Sequence, residues 1–459
     1  MARNDNKKGQ LMTEGPIGKQ LILFALPLLL GNVFQQLYNT VDAMIVGQYV
    51  GENALAAVGS AGSIVHLITS LLMGITMGAS VTIANHYGAR DTYRLRRSIH
   101  TATVLALLSG VVLTIIGVML SPQIVLWIGT PAEVVEESTS YLRIIFSGVL
   151  FSTLYNAGSS IFRAVGDSKR PLYYLIVSSV TNVILDLIFV VKLRMGVEGA
   201  ALATIVSQLI STILTYGTLM LSKEEYRLRL KELCIDRQEM GLIVRIGIPG
   251  GIQNSVIAFS NVIVQANINS FEANAMAGCA AWVKIDGFAV MPALSFSMAL
   301  TTFIGQNMGA KKPERMQKGA RFGILLAAIT IEVIGLLLYV FCEPVLRLFN
   351  DNPEVIRYGV QMARSIAPLY MFLGLSHAMA GTLRGAGLTK IPMIVMISCW
   401  CVERVLWITL SINYIANDIR MVFYSYPITW ATSTIIFFIY YIKTDWVNNS
   451  LEKKKSTAA

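Results

Sequence analysis

The chain has 459 residues, 54% hydrophobic and 14% charged, with a mean hydropathy of +0.59 and a net charge of +10. A soluble domain is about a quarter charged, so a chain this apolar cannot cover itself with polar groups in water, and a bilayer must solvate much of it. In such a chain the positive charge reads as Lys and Arg in cytoplasmic loops, not as a nucleic-acid surface.

The first 19 residues form a polar, basic cytoplasmic segment with Arg3, Lys7 and Lys8. The apolar run from Leu21 to Gly47 is too long for the core of a cleavable signal and reads as the first span. Apolar runs between polar breaks predict twelve helices, over 20–47, 54–86, 98–120, 138–164, 171–193, 198–221, 242–270, 276–308, 319–341, 358–385, 392–415 and 420–443. With both termini inside, inside segments hold 28 of the 37 Lys and Arg, which fixes the orientation. The charged stretch 222–241 reads as a cytoplasmic linker between an N-lobe, 20–221, and a C-lobe, 242–443. Residues 444–459 read as a cytoplasmic tail.

The two halves are repeats. Arg163-Ala-Val-Gly-Asp-Ser-Lys-Arg-Pro171 matches Arg384-Gly-Ala-Gly-Leu-Thr-Lys-Ile-Pro392 at an offset of 221 residues, and Tyr87-Gly-Ala-Arg90 matches Met308-Gly-Ala-Lys311 at the same offset. Pro27 matches Pro249 at 222. Six helices per half make these parallel repeats, an all-α membrane fold with a cavity expected between the lobes.

Ionisable groups inside spans are expensive and are functional candidates by default. In the first helix Asn32, Gln35, Asn39 and Asp42 follow spacings of 3, 4 and 3 and share one face. In the fifth, Asn182 lies one turn before Asp186. Thr204, Ser207, Gln208 and Ser211 stripe the sixth helix, and Asn156 adds a polar group in the fourth. Facing one another, these oxygens would suit Na⁺, and two close carboxylates would suit a proton. For the Ser and Thr groups, helix-to-helix hydrogen bonding is the commoner role.

The second half lacks both acids: Trp407 is the counterpart of Asp186, and Val264 or Gln265 that of Asp42. Cation coupling is therefore expected in the first half. Candidate substrate-cavity residues are Gln35, Asn39, Gln253, Asn254, Asp286, Met291, His377 and Glu403. Lys284 is expected to pair with Asp286 or Glu403, unless these charges and Arg404 only neutralise nearby partners. The 20 methionines and the aromatics suit varied organic ligands. The five cysteines are scattered, and no disulfide or metal site is assigned beyond a possible Na⁺ at Asp42, Asn182, Asp186 and Thr204. There is no phosphate-binding loop, no zinc motif and no nucleophile elbow, which argues against an enzyme and against direct ATP drive.

On these residues the chain resembles the multidrug and toxic compound extrusion (MATE) transporters over nearly its whole length. The resemblance rests on Pro27 through Val41-Asp42-Ala-Met-Ile-Val-Gly47, Tyr87-Gly-Ala-Arg90, Arg163-Ala-Val-Gly-Asp-Ser-Lys169, Asn182-Val-Ile-Leu-Asp186, Gly199-Ala-Ala-Leu-Ala-Thr204 and Gly305-Gln-Asn-Met-Gly-Ala310. It implies two lobes forming a V and export of organic, often cationic, compounds by alternating access. It also implies Na⁺ or H⁺ as the coupling ion, no cofactor, and a first-lobe cation site at Asp42, Asn182, Asp186 and Thr204, with Asn156 nearby. Ile257 stands where the NorM-like branch has Glu, which places the chain nearer the DinF-like side. A monomer in a bacterial inner membrane, bound to lipid and small organic substrates and not to nucleic acid, fits this reading. The alternative is a lipid or lipid-linked oligosaccharide flippase of the same superfamily.

Overall fold

The long apolar runs fold as helices because lipid offers no partner for an open backbone. The computed structural model describes residues 11–127, 130 and 132–458; Arg3, Lys7 and Lys8 lie outside the described residues. The spans are α1 (Ile17–Tyr49), α2 (Glu52–Gly88), α3 (Thr92–Trp127), α4 (Ala132–Ala164), α5 (Lys169–Lys192), α6 (Gly196–Leu221), α7 (Arg237–Asn269), α8 (Ala273–Gly309), α9 (Pro313–Arg347), α10 (Pro353–Gly385), α11 (Lys390–Tyr414) and α12 (Ile419–Lys443). Eleven of them are long and apolar enough to cross a membrane on their described residues, and α2, 37 residues long, completes the twelve. Seven of the spans start and stop within a few residues of their apolar runs; α3 and α9 continue by several residues at both ends, and α4, α7 and α10 by several at their starts. Polar helix ends need no lipid, so they extend past the bilayer.

The tail folds as α13 (Trp446–Ala458). Asp445 caps it by accepting from the Asn448 backbone N–H at 3.1 Å, and Trp446 packs on Tyr441 with ring centres 5.4 Å apart.

The repeat is visible in the backbone itself. Gly166 and Gly387 both take positive φ, 85° and 73°, in the turn that ends the fourth helix of each half. That conformation favours glycine and explains why the matched motifs share one there. Arg90 and Lys311 share a second such turn, at φ 57° and 54°.

The chain divides into two compact units, one built on Leu30–Gly251, the other on Met12–Leu29 with Ile252–Ala459. Both divisions fall just past a helix proline, Pro27 in α1 and Pro249 in α7. Each leading half-helix is held by buried polar groups. In the first unit His86 Nε2 and Ser98 Oγ reach Glu239 Oε2 at the start of α7, at 2.9 and 2.7 Å. Below Pro249, Gly74 and Gly78 of α2 meet Gly247 and Gly251 of α7 backbone to backbone. In the second unit Gln306 Oε1 accepts from the Met12 N–H at 2.8 Å, and Asn307 Nδ2 and Arg315 Nε donate to the Met12 carbonyl at 3.2 and 3.1 Å. His86 and Asn307 are repeat counterparts, so the matched loop motifs serve as docking points for the leading half-helices.

At the start of α12, outside the span, Asp418 accepts from the Arg420 backbone N–H at 2.8 Å and pairs with its guanidinium at 2.6 Å. The Arg420 side chain holds the Asp418 carboxyl below its usual value. A lowered carboxylate pKa stabilises above the unfolded value of about 3.9 and loses its effect as pH falls through the folded value. Asp418→Ala is expected to cost about 1 kcal/mol at neutral pH and less below about pH 3, read as a pH-dependent fall in unfolding temperature. An equal loss at both pH values would contradict this.

Candidate functional site

In the first unit α1 and α5 bring two carboxyl groups together. α1 has two opposed faces. Leu30, Phe34, Leu37 and Met44 are exposed on one, as lipid-facing residues are, while Gln35 and Asn39 are exposed on the other with Asp42 half-buried beside them. A polar face opposite the lipid face must meet water or other polar groups. Asp186 and Asn182 lie one turn apart on α5 and are fully buried. Leu187–Lys192, immediately after Asp186, winds as a π-helix, a distortion that often accompanies functional positions.

The Asp42 and Asp186 carboxyls lie within electrostatic reach of each other. Two ionised carboxylates have no hydrogen to offer each other, and no donor reaches Asp42 Oδ1 or either oxygen of Asp186. Asn182 Oδ1 and Nδ2 are likewise buried and unpaired. The unpaired buried atoms on these three residues are thus mostly acceptors.

Thr204 is half-buried on α6. Ser178 Oγ donates to the Ser207 carbonyl at 2.8 Å, which ties α5, the helix that carries Asn182, to α6, the helix that carries Thr204. Asn156 Nδ2 is committed to the Ser152 carbonyl of its own helix at 2.9 Å. Two tyrosines not singled out in the sequence, Tyr38 and Tyr141, lie within electrostatic reach of both carboxylates. Tyr38 is one turn before Asp42, a spacing legible in the sequence; Tyr141 comes from α4 and had no such signal.

In the second unit the candidates disperse among separate partners. Tyr370 Oη donates to Asp286 Oδ1, and Thr432 Oγ1 donates to Glu403 Oε1 at 2.8 Å. Lys284 is exposed and forms no ion pair among the described residues, so the expected pairing with Asp286 or Glu403 is corrected. One turn of α8 divides into an exposed side, which carries Val283 and Lys284, and a buried side, which carries Trp282 and Ile285. Gln253 is buried with Nε2 against Met396 Sδ, Asn254 is half-buried, Met291 is buried, and the His377 ring meets Trp400 edge-on at 5.2 Å. Among the described residues no three His, Cys, Asp or Glu side chains cluster as a metal site.

A model of the MatE family matches the chain twice, over residues 27–188 and 249–409. The chain belongs to the MatE family. The double match is the repeat read from the sequence. This MatE chain is 32% identical over 444 residues to "Probable multidrug resistance protein YoeA" of Bacillus subtilis (strain 168), covering 94% of this chain and 95% of that one. It is 30% identical over 395 residues to "Probable multidrug resistance protein NorM" of Thermotoga maritima, covering 84% and 83%. Its fold superposes on a crystal structure of a MATE protein in the bent conformation with a TM-score of 0.89 at 24% identity, over 99% of this chain and 100% of that one. The MatE chain is therefore a multi-pass membrane transporter and not an enzyme.

Proposed function

We propose that this MatE transporter is a cation-coupled antiporter, exporting small organic compounds by alternating access in exchange for Na⁺ or H⁺. The observation that carries this reading is the pair of facing carboxyls, Asp42 and Asp186, with no donor on Asp186. Two negative charges held close in a span are strongly unfavourable, and a bound cation relieves them. A proton would bridge the two carboxyls. Na⁺ would take oxygens from Asp42, Asn182, Asp186 and Thr204. Coupling follows if the conformation that binds the cation tightly holds substrate weakly, because each ligand shifts the equilibrium only by its difference in affinity.

Candidate substrate contacts are Gln35 and Asn39 in the first unit and, in the second, Gln253, Asn254, Asp286, Met291, His377 and Glu403. Ile257 in place of a glutamate keeps the coupling site in the first unit and puts the chain nearer the DinF-like branch. The reading includes a monomer with both termini in the bacterial cytoplasm.

The test is uptake of ethidium into inverted vesicles under an imposed Na⁺ or H⁺ gradient. Wild type should accumulate dye with one gradient, naming the ion, and Asp42→Asn should lose at least about tenfold of that accumulation. Equal uptake by Asp42→Asn, or uptake indifferent to both gradients, would refute antiport at this pair.

A further inference from the structure

The second unit holds an internal cation that forms no ion pair among the described residues. Arg404, on α11, is 1% exposed. Its Nη1 donates to Asn261 Oδ1 at 3.3 Å and its Nη2 to Thr429 Oγ1 at 3.0 Å. The guanidinium lies 4.7 Å from the Tyr426 ring and 5.6 Å from the Trp400 ring. All these partners are neutral, and Nε has no acceptor. Glu403, whose charge acts on Arg404, accepts from Thr432, and Asp286 accepts from Tyr370; among the described residues neither forms an ion pair with Arg404. A buried, unpaired guanidinium is costly in a span, more so with an N–H unmade.

A second unmade donor belongs to the same cluster. Trp430 packs against Tyr426 at 5.9 Å and Trp400 at 6.3 Å, the two rings that flank Arg404, and its buried Nε1 also lacks an acceptor. Trp282, one turn before Asp286, has the same deficit. The orphaned atoms here are N–H donors, where those around Asp42 and Asp186 are mainly acceptors. The cluster also reaches the open surface. Asn261 is exposed and shares a face of α7 with Asn254 and Gln265, opposite the exposed apolar Ile252 and Phe259.

We infer that Arg404, with Trp430, forms a binding site for an anionic group, so that the second unit also takes compounds that carry a carboxylate or phosphate on an aromatic body. The guanidinium and the indole N–H supply charge-assisted donors to the anion, and Tyr426 and Trp400 supply flat apolar surface to the aromatic part. This rests on the antiport reading for its place in transport, but the binding itself does not require it.

The test is binding to the purified full-length protein, followed by fluorescence anisotropy, of fluorescein as an aromatic carboxylate and ethidium as a cation of similar size. Arg404→Gln should weaken fluorescein binding at least about tenfold, and Trp430→Phe about threefold, because a hydrogen bond to a charged group is lost in each. Arg404→Lys should fall between wild type and Arg404→Gln, and ethidium binding should stay within about twofold throughout. Trp430→Phe keeps a ring in place and decides the question if Arg404→Gln does not fold. Absence of fluorescein binding by wild type, unchanged binding in both Arg404→Gln and Trp430→Phe, or equal loss of both dyes in Arg404→Gln would overturn the inference. Fluorescein bound at Arg404 but moved by neither ion gradient would leave this site standing and remove the antiport.

Discussion

Asp186→Asn is expected to abolish gradient-driven transport while leaving the protein at least as stable as wild type. Both oxygens of Asp186 are buried without a donor, so the ionised carboxylate contributes no hydrogen bond to lose. Replacing it by an amide of the same shape removes a buried charge repelled by Asp42 and keeps the packing. The same change removes the group that would bind the coupling cation, and a drop of at least about 100-fold in accumulation is expected, equivalent to about 2.7 kcal/mol of lost coupling. Thermal unfolding and vesicle uptake measured on one preparation check both halves. A variant that unfolds many degrees below wild type would show that Asp186 is structural. A stable variant that still accumulates substrate would show that it does not couple.

Gly78→Val should unfold the first unit. A Cβ at Gly78 would lie 2.2 Å from the Ile243 carbonyl oxygen and 2.8 Å from the Gly247 nitrogen. At Gly74 it would lie 2.4 Å from the Gly251 nitrogen. The two glycines of α2 sit four residues apart against two of α7 with the same spacing, so the helices meet along their backbones, as small-residue pairs allow in membranes. Nothing at the contact is a flexible side chain that could swing aside. The clash can be relieved only by parting α2 from the leading half of α7, which also strains the buried His86–Glu239 contact. A loss of more than about 3 kcal/mol is expected, above the usual overpacking range because backbone is the obstacle. Gly217→Ala is the control, since a Cβ there meets nothing within 4 Å. Size-exclusion profiles and unfolding temperatures of the two variants would decide, and equal behaviour of Gly78→Val and Gly217→Ala would rule this contact out.

Twelve spans, their order and the repeat were legible in the sequence because each depends on local properties. A run of about 20 apolar residues must be helical in lipid wherever it lies in the chain. The repeated turn motifs carry their own geometry in the positive φ of Gly166 and Gly387. Asp42 and Asp186 stood out for a similar reason, since acids within apolar runs are visible one helix at a time. What joins distant helices was not legible in this way. That Met12–Leu29 groups with the second unit while 237–251 groups with the first was decided by long-range contacts, made from a few buried atoms on Glu239, Gln306 and Asn307. Lys284 and Asp286 are two residues apart, yet only Asp286 finds a buried partner, because a helix turns about 100° per residue and sends them to different sides. Tyr141 joined the carboxylates, and Trp430 joined Arg404, through packing between helices that share no sequence signal. Periodicity tells which side of a helix is polar; only the crossing and register of whole helices decide which polar atoms on those sides find partners and which are left without one.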